Sequence, residues 1–161
     1  MKIIVTFLNG TQYWTDLIKL NAQRASEVLS DPAFITHVRC GPRFDYCAHT
    51  PEEVASVIAS AGEVVVNVGF YSKWWSKAIA YEQDGVVYFN TRKEAYGAGS
   101  PGNIAHEFTH KLGFVHCGNS SRGNANTVPY RIGNEVDLWG TVTSGIMAQG
   151  SDNAGAIRNV T

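Results

Sequence analysis

The sequence predicts a single α+β domain, and three observations carry that prediction. Valine- and isoleucine-rich runs of strand length alternate with segments whose apolar residues recur at helical spacing. Gln83-Asp84-Gly85 stands between two strand candidates as a hairpin turn would. Thr50-Pro51 and Ser100-Pro101 open helices in the same way, with a hydroxyl at the cap and proline at the first helical position. No repeat, linker or composition break divides the 161 residues, so the domain is expected to span 1–161.

Composition narrows the function classes. Apolar residues make up 44% of the chain, charged residues 17%, and the formal net charge is −1, the balance of a globular protein with a core of its own. Basic residues are scattered rather than gathered into a stripe, so no nucleic-acid partner is expected. No apolar window is long enough to cross a membrane, and no membrane partner is expected either. Met1 to Gly10 lacks the longer apolar core and cleavage site of a leader, which leaves localisation open between the cytoplasm and leaderless export. Cys40, Cys47 and Cys117 do not make a disulfide framework, and a free thiol is the expectation for each.

Taken in order, Ile3, Val5 and Phe7 alternate with Ile4, Thr6 and Leu8 in a first strand that ends at Asn9-Gly10. Thr15 or Asp16 is expected to cap a helix reaching to about Ser30, and Asp31-Pro32 ends it. Phe34 to Arg39 reads as a strand. The helix capped by Thr50 turns Val54, Val57, Ile58 and Ala61 inward and stops at Gly62. Valine-rich Glu63 to Tyr71 reads as a buried strand, and Val86 to Asn90 as the strand after the hairpin turn. The pair Trp74-Trp75 reads as core or partner surface and is left outside the site. From Gly118 to Gly140 the pattern dissolves into Gly, Asn, Ser and Thr, so an irregular segment is expected there.

The helix opened by Ser100 carries the chemistry. With Ile104, Ala105, Phe108 and Leu112 turned to the core, His106 and His110 stand one turn apart on the flank that meets a cleft. Glu107 follows the first histidine and can reach over the same metal without ligating it. Gly113 lets the helix stop and the backbone turn, which brings His116 back to the other two. Three neutral imidazoles with one open position suit one catalytic Zn2+ rather than a structural one. Zinc lowers the pKa of a bound water, and Glu107 is placed as general base and acid.

His106, Glu107, His110, Gly113 and His116, followed downstream by Met147, resemble the motif of the metzincin zinc metallopeptidases. The resemblance implies a twisted, mostly parallel sheet with an antiparallel edge strand, two or three helices and a small irregular C-terminal subdomain. The upper part would run to about residue 113 and the lower over about 114–161. It further implies that Met147 packs beneath the zinc, and that Val87, Tyr88 and Phe89 lie on an edge strand pairing with an extended peptide. Gln149 stands where two branches of the family place a tyrosine ligand, which leaves three protein ligands and water. Tyr130 is not counted in the site, and Cys117 reads as a buried small residue. The activity implied is that of a metalloendopeptidase acting on peptide or protein substrates; the sequence leaves the oligomeric state open, with a monomer the expectation. The alternatives are a zinc- or peptide-binding protein without turnover, and a zinc amidase acting on a non-standard or cell-wall peptide.

Overall fold

The computed structural model describes residues 1–45, 47–116 and 126–139. Strand β1 (Lys2–Phe7) is followed by three helices, α1 (Gln12–Ser30), α2 (Pro32–Arg39) and α3 (Pro51–Ser60). Strands β2 (Glu63–Tyr71), β3 (Ala80–Gln83) and β4 (Val86–Asn90) come next. A short 3-10 turn (Glu94–Tyr96) leads into α4 (Pro101–Lys111), and a fifth helix, α5, covers residues 128–139. The strands form one mixed sheet in the order β1-β2-β4-β3. β1, β2 and β4 run parallel, and β3 is antiparallel at the edge. Coarsely, the architecture is α+β, with five helices among the described residues where two or three are expected from the sequence.

One face of the sheet supplies the core. The parallel register sets Val5 beside Val66 and Phe7 beside Val68, and Val68 in turn beside Val87. These rows pack with Ile18 and Leu29 of α1 and with Ile104 and Phe108 of α4, all buried. The opposite face meets solvent: Val65 is 52% exposed, and Thr6 hydrogen-bonds Asn67 across the strands. Two-residue hairpin geometry joins β3 to β4, since Gln83 pairs with Val86 and both Asp84 and Gly85 have positive φ, as a type I′ turn demands.

Several sequence expectations change here. α1 starts at Gln12, because the Thr11 side chain accepts from the Trp14 amide and so caps the helix earlier than Thr15 or Asp16 would. Phe34 to Arg39 is helical, not a strand. Asp31 caps the Ala33 amide at 2.8 Å, Pro32 sits in the first turn, and Phe34 and Val38 fall one turn apart on the buried face. The stretch from 118 to 140 contains α5, whose Val128, Ile132 and Val136 are fully buried at helical spacing. β4 is interior, flanked by β2 and β3, with Val87 and Phe89 buried. An interior strand has both rows of backbone groups paired and cannot accept another chain; among the described strands the edges are β1 and the antiparallel β3.

α5 is tied down on two sides. The Arg131 guanidinium is buried between Glu135 (2.7 Å), the Pro42 carbonyl (2.6 Å) and the Phe44 ring. Trp139 donates from its indole nitrogen to Asp31 (3.1 Å). In the same region Cys47 is disulfide-bonded, against the expected free thiol, while Cys40 is free, which rules out a bond between these two. Cys117, Met147 and Gln149 lie outside the described residues, as does most of the expected lower subdomain.

Candidate metal centre

α4 reaches the centre of the molecule because both of its ends are secured. At the start, the Ser100 hydroxyl accepts from the Asn103 amide (3.1 Å) and donates to Asp137 of α5 (3.1 Å). Asp137 also accepts from the Gly102 amide (2.7 Å), so a carboxylate answers the free amides and positive dipole of the helix N-terminus. α5 approaches this closely because the crossing is made by two glycines. A Cβ on Gly133 would lie 2.7 Å from the Gly102 carbonyl oxygen. The crossing also brings Pro129 and Tyr130 against His106.

At the other end the chain reverses through a Schellman turn. Gly113 adopts φ 92°, its amide donates to the His110 carbonyl, and the Phe114 amide donates to the Thr109 carbonyl (3.1 Å). Phe114 is then buried, and its carbonyl accepts from His110 Nδ1 at 2.7 Å. A carbonyl can only accept, so Nδ1 carries the proton and Nε2 keeps its lone pair for a metal. One turn therefore ends the helix, orients the second histidine and returns His116 to the site.

The three histidines come together, each offering a ligand nitrogen, with these atoms all within 4.8 Å of one another. Their ring centroids lie 4.8 to 5.1 Å apart. The His106 ring hydrogen-bonds the Pro129 carbonyl, the counterpart of the bond made by His110. Burial, reinforced by His110 and His116, lowers the His106 pKa to about 3. Burial and then His110 also push His116 down. Rings that stay neutral are what a cation requires of imidazole ligands. His116 Nδ1 is buried without a hydrogen-bond partner, which marks an unmet polar demand inside the cluster. The donor set, the His110 tautomer and this orphaned nitrogen all fit a metal ion.

Two further side chains complete the surroundings. Glu107 is buried on α4, and burial, assisted by the charge of Glu82, raises its pKa to about 7 against the opposing pull of Lys111. A carboxyl group near neutrality can both take and release a proton. Tyr130 of α5 places its ring 4.7 Å from the rings of both His106 and His116 and is 41% exposed. It is the fourth ring of the cluster, and the sequence reading leaves it out because nothing in its spacing to the histidines reports the α4/α5 crossing.

Two cavities, of about 470 and 450 Å³, meet at Ala80, His106, Glu107 and Tyr130. The first runs toward the start of α4 along Lys77, Ala78 and Ile79, and the second toward Glu82, Phe114 and His116. β3 borders both. Its Glu82 is linked to Lys111 of α4 at 2.9 Å, which spans the cleft wall from strand to helix. Val87, Tyr88 and Phe89 line neither cavity, whereas Ala80, Tyr81 and Glu82 do. No protein-family model matches the chain, and no characterised protein or solved structure matches it either.

Proposed function

We propose that this protein is a zinc-dependent endopeptidase of metzincin type. The observation that carries the reading is the convergence of His106, His110 and His116 beside buried Glu107, at the junction of two cavities bordered by β3, an edge strand among the described residues. When bound, zinc supplies a water of lowered pKa and a positive charge for the carbonyl oxygen that becomes negative as the peptide bond breaks.

The chain's own residues do the rest. His106, His110 and His116 hold the ion, and the Phe114 and Pro129 carbonyls keep two of those rings in the ligating tautomer and orientation. The Glu107 carboxylate receives the proton of the attacking water and returns it to the leaving nitrogen. β3 offers main-chain groups to an extended substrate, which would add to the sheet as one more strand. This moves the peptide-pairing role from Val87, Tyr88 and Phe89 to Ala80–Gln83.

Metal analysis combined with a peptide-library digest tests the proposal. The wild-type chain is expected to carry one zinc and to lose cleavage on chelation. Glu107→Gln is expected to keep the zinc and lose about 10²- to 10⁴-fold in cleavage rate. One zinc per chain with no chelator-sensitive cleavage would replace this reading with that of a metal-binding protein.

A further inference from the structure

The loop between β2 and β3, residues 72–79, has no part in the metal centre, yet it is built with care. Buried Asn90 closes it from beneath. The Asn90 side chain accepts from the Lys73 amide (3.2 Å) and donates to the carbonyls of Lys73 (2.8 Å) and Ala78 (3.4 Å). The Tyr71 hydroxyl adds a bond to the Ala78 carbonyl (3.0 Å). Both ends of the loop are thus held by one amide, and its tip is fixed in place before any partner arrives.

That fixed tip presents Trp74 and Trp75, which are 74% and 66% exposed and pack edge to face against each other. Holding two indoles in water is unfavourable, at roughly 25 cal/mol for each Å² of apolar surface that could be buried, and nothing in the sheet requires them. Around them the charge is one-sided. No Asp or Glu occurs from Val64 to Tyr81, while Lys73 and Lys77 flank the tryptophans. Arg92 joins the loop through Ser72 (3.1 Å), and Lys93 lies over exposed Tyr96 at 5.0 Å. Within the segments 72–79 and 92–96 four cations stand against one carboxylate, Glu94, which accepts from the Tyr13 hydroxyl, while Asp137 lines the adjoining cavity. In a chain of net charge −1 this is a local reversal of sign.

The surface continues into the cleft. Lys77, Ala78, Ile79 and Tyr96 line the 470 Å³ cavity that ends at His106 and Glu107. From this continuity we infer that the 72–79 loop, with Arg92, Lys93 and Tyr96, binds an acidic, aromatic-containing segment of a polypeptide substrate beside the bond presented to Glu107. The inference rests on the endopeptidase reading for its direction along the cleft. A bilayer would meet the tip of the loop, but it could not follow the same basic and aromatic path into a cavity.

Binding is separated from turnover by working in the Glu107→Gln background. The probes are the random copolymer of glutamate and tyrosine, the corresponding copolymer of lysine and tyrosine, and vesicles of phosphatidylglycerol, each titrated against tryptophan emission and by calorimetry. The acidic copolymer is expected to bind at least about tenfold more tightly than the basic one and to weaken as salt is raised. Lys73→Glu/Lys77→Glu and Trp74→Ser/Trp75→Ser are each expected to reduce that binding at least about tenfold, with zinc content and melting temperature unchanged. Equal binding of the two copolymers, binding unaffected by either double substitution, or binding of vesicles without binding of the acidic copolymer would each overturn the inference. A chain that binds the acidic copolymer but cleaves nothing in the wild-type form would retain this surface and lose only the endopeptidase reading.

Discussion

Helices α3 and α4 begin with nearly the same words, Thr50-Pro51 and Ser100-Pro101, and are completed in different ways. α3 closes its own cap: the Glu53 amide donates to the Thr50 hydroxyl (3.2 Å), and the Thr50 amide donates to the Glu53 carboxylate (2.8 Å). α4 has Asn103 at the matching position, and its carboxylate arrives from Asp137, on another helix. A helix that serves the core can be finished by local chemistry. The helix that carries the histidine cluster is finished by its neighbour, so the same contacts that stabilise it also bring Pro129 and Tyr130 to His106.

The contrast predicts where titration should cost stability, and this is the largest effect expected. In the metal-free chain His106 has a pKa of about 3 against 6.5 when unfolded, so the unfolded chain takes up the extra proton on acidification. Its contribution is complete above pH 6.5 and is lost as the pH falls through 3, by at most about 5 kcal/mol. Glu107 acts in the opposite sense. With its folded pKa raised to about 7 from 4.5, its contribution is complete below pH 4.5 and is lost as the pH rises through 7. Urea unfolding in chelator across this range should show both limbs, and His106→Phe should shrink the acid one, leaving the part that His116 contributes.

Gly102→Ala comes next. Its methyl group would meet the Gly133 carbonyl and the Asp137 carboxylate, so the α4/α5 crossing must open, at about 1–3 kcal/mol, with weaker zinc binding measured in parallel. Asp137→Ala should cost about 1 kcal/mol in thermal unfolding and also weaken zinc, because the cap and the crossing are one structure. Glu53→Gln should produce the smallest shift in melting temperature and leave zinc binding untouched. If Glu53→Gln weakened zinc as much as Asp137→Ala, the distinction between the two helices would fail.

The same distinction explains what could be read in the sequence. The α3 cap, the I′ turn at Asp84-Gly85 and the helix end at Gly113 are written in adjacent residues, and they stand where the sequence puts them. The edge of the sheet is not legible, because strand order is a property of four strands together, and Val86–Asn90 carries no mark of having neighbours on both sides. α5 has a helical apolar repeat in Val128, Ile132 and Val136, but glycine and asparagine around it masked the period. Phe34 to Arg39 is short enough to read as a strand, although Asp31-Pro32 before it is itself a helix start. Within the site, the histidines and Glu107 are legible from spacing alone. The Pro129 and Phe114 carbonyls are not, since a backbone oxygen has no residue type.

Asn90 has a consequence for how this protein could diversify. Because one buried amide clasps both ends of the 72–79 loop, the residues at its tip answer to nothing beneath them. The loop is a cassette: its side chains can be exchanged without rewriting the sheet, and the surface beside the cleft can change while His106, His110 and His116 stay where they are.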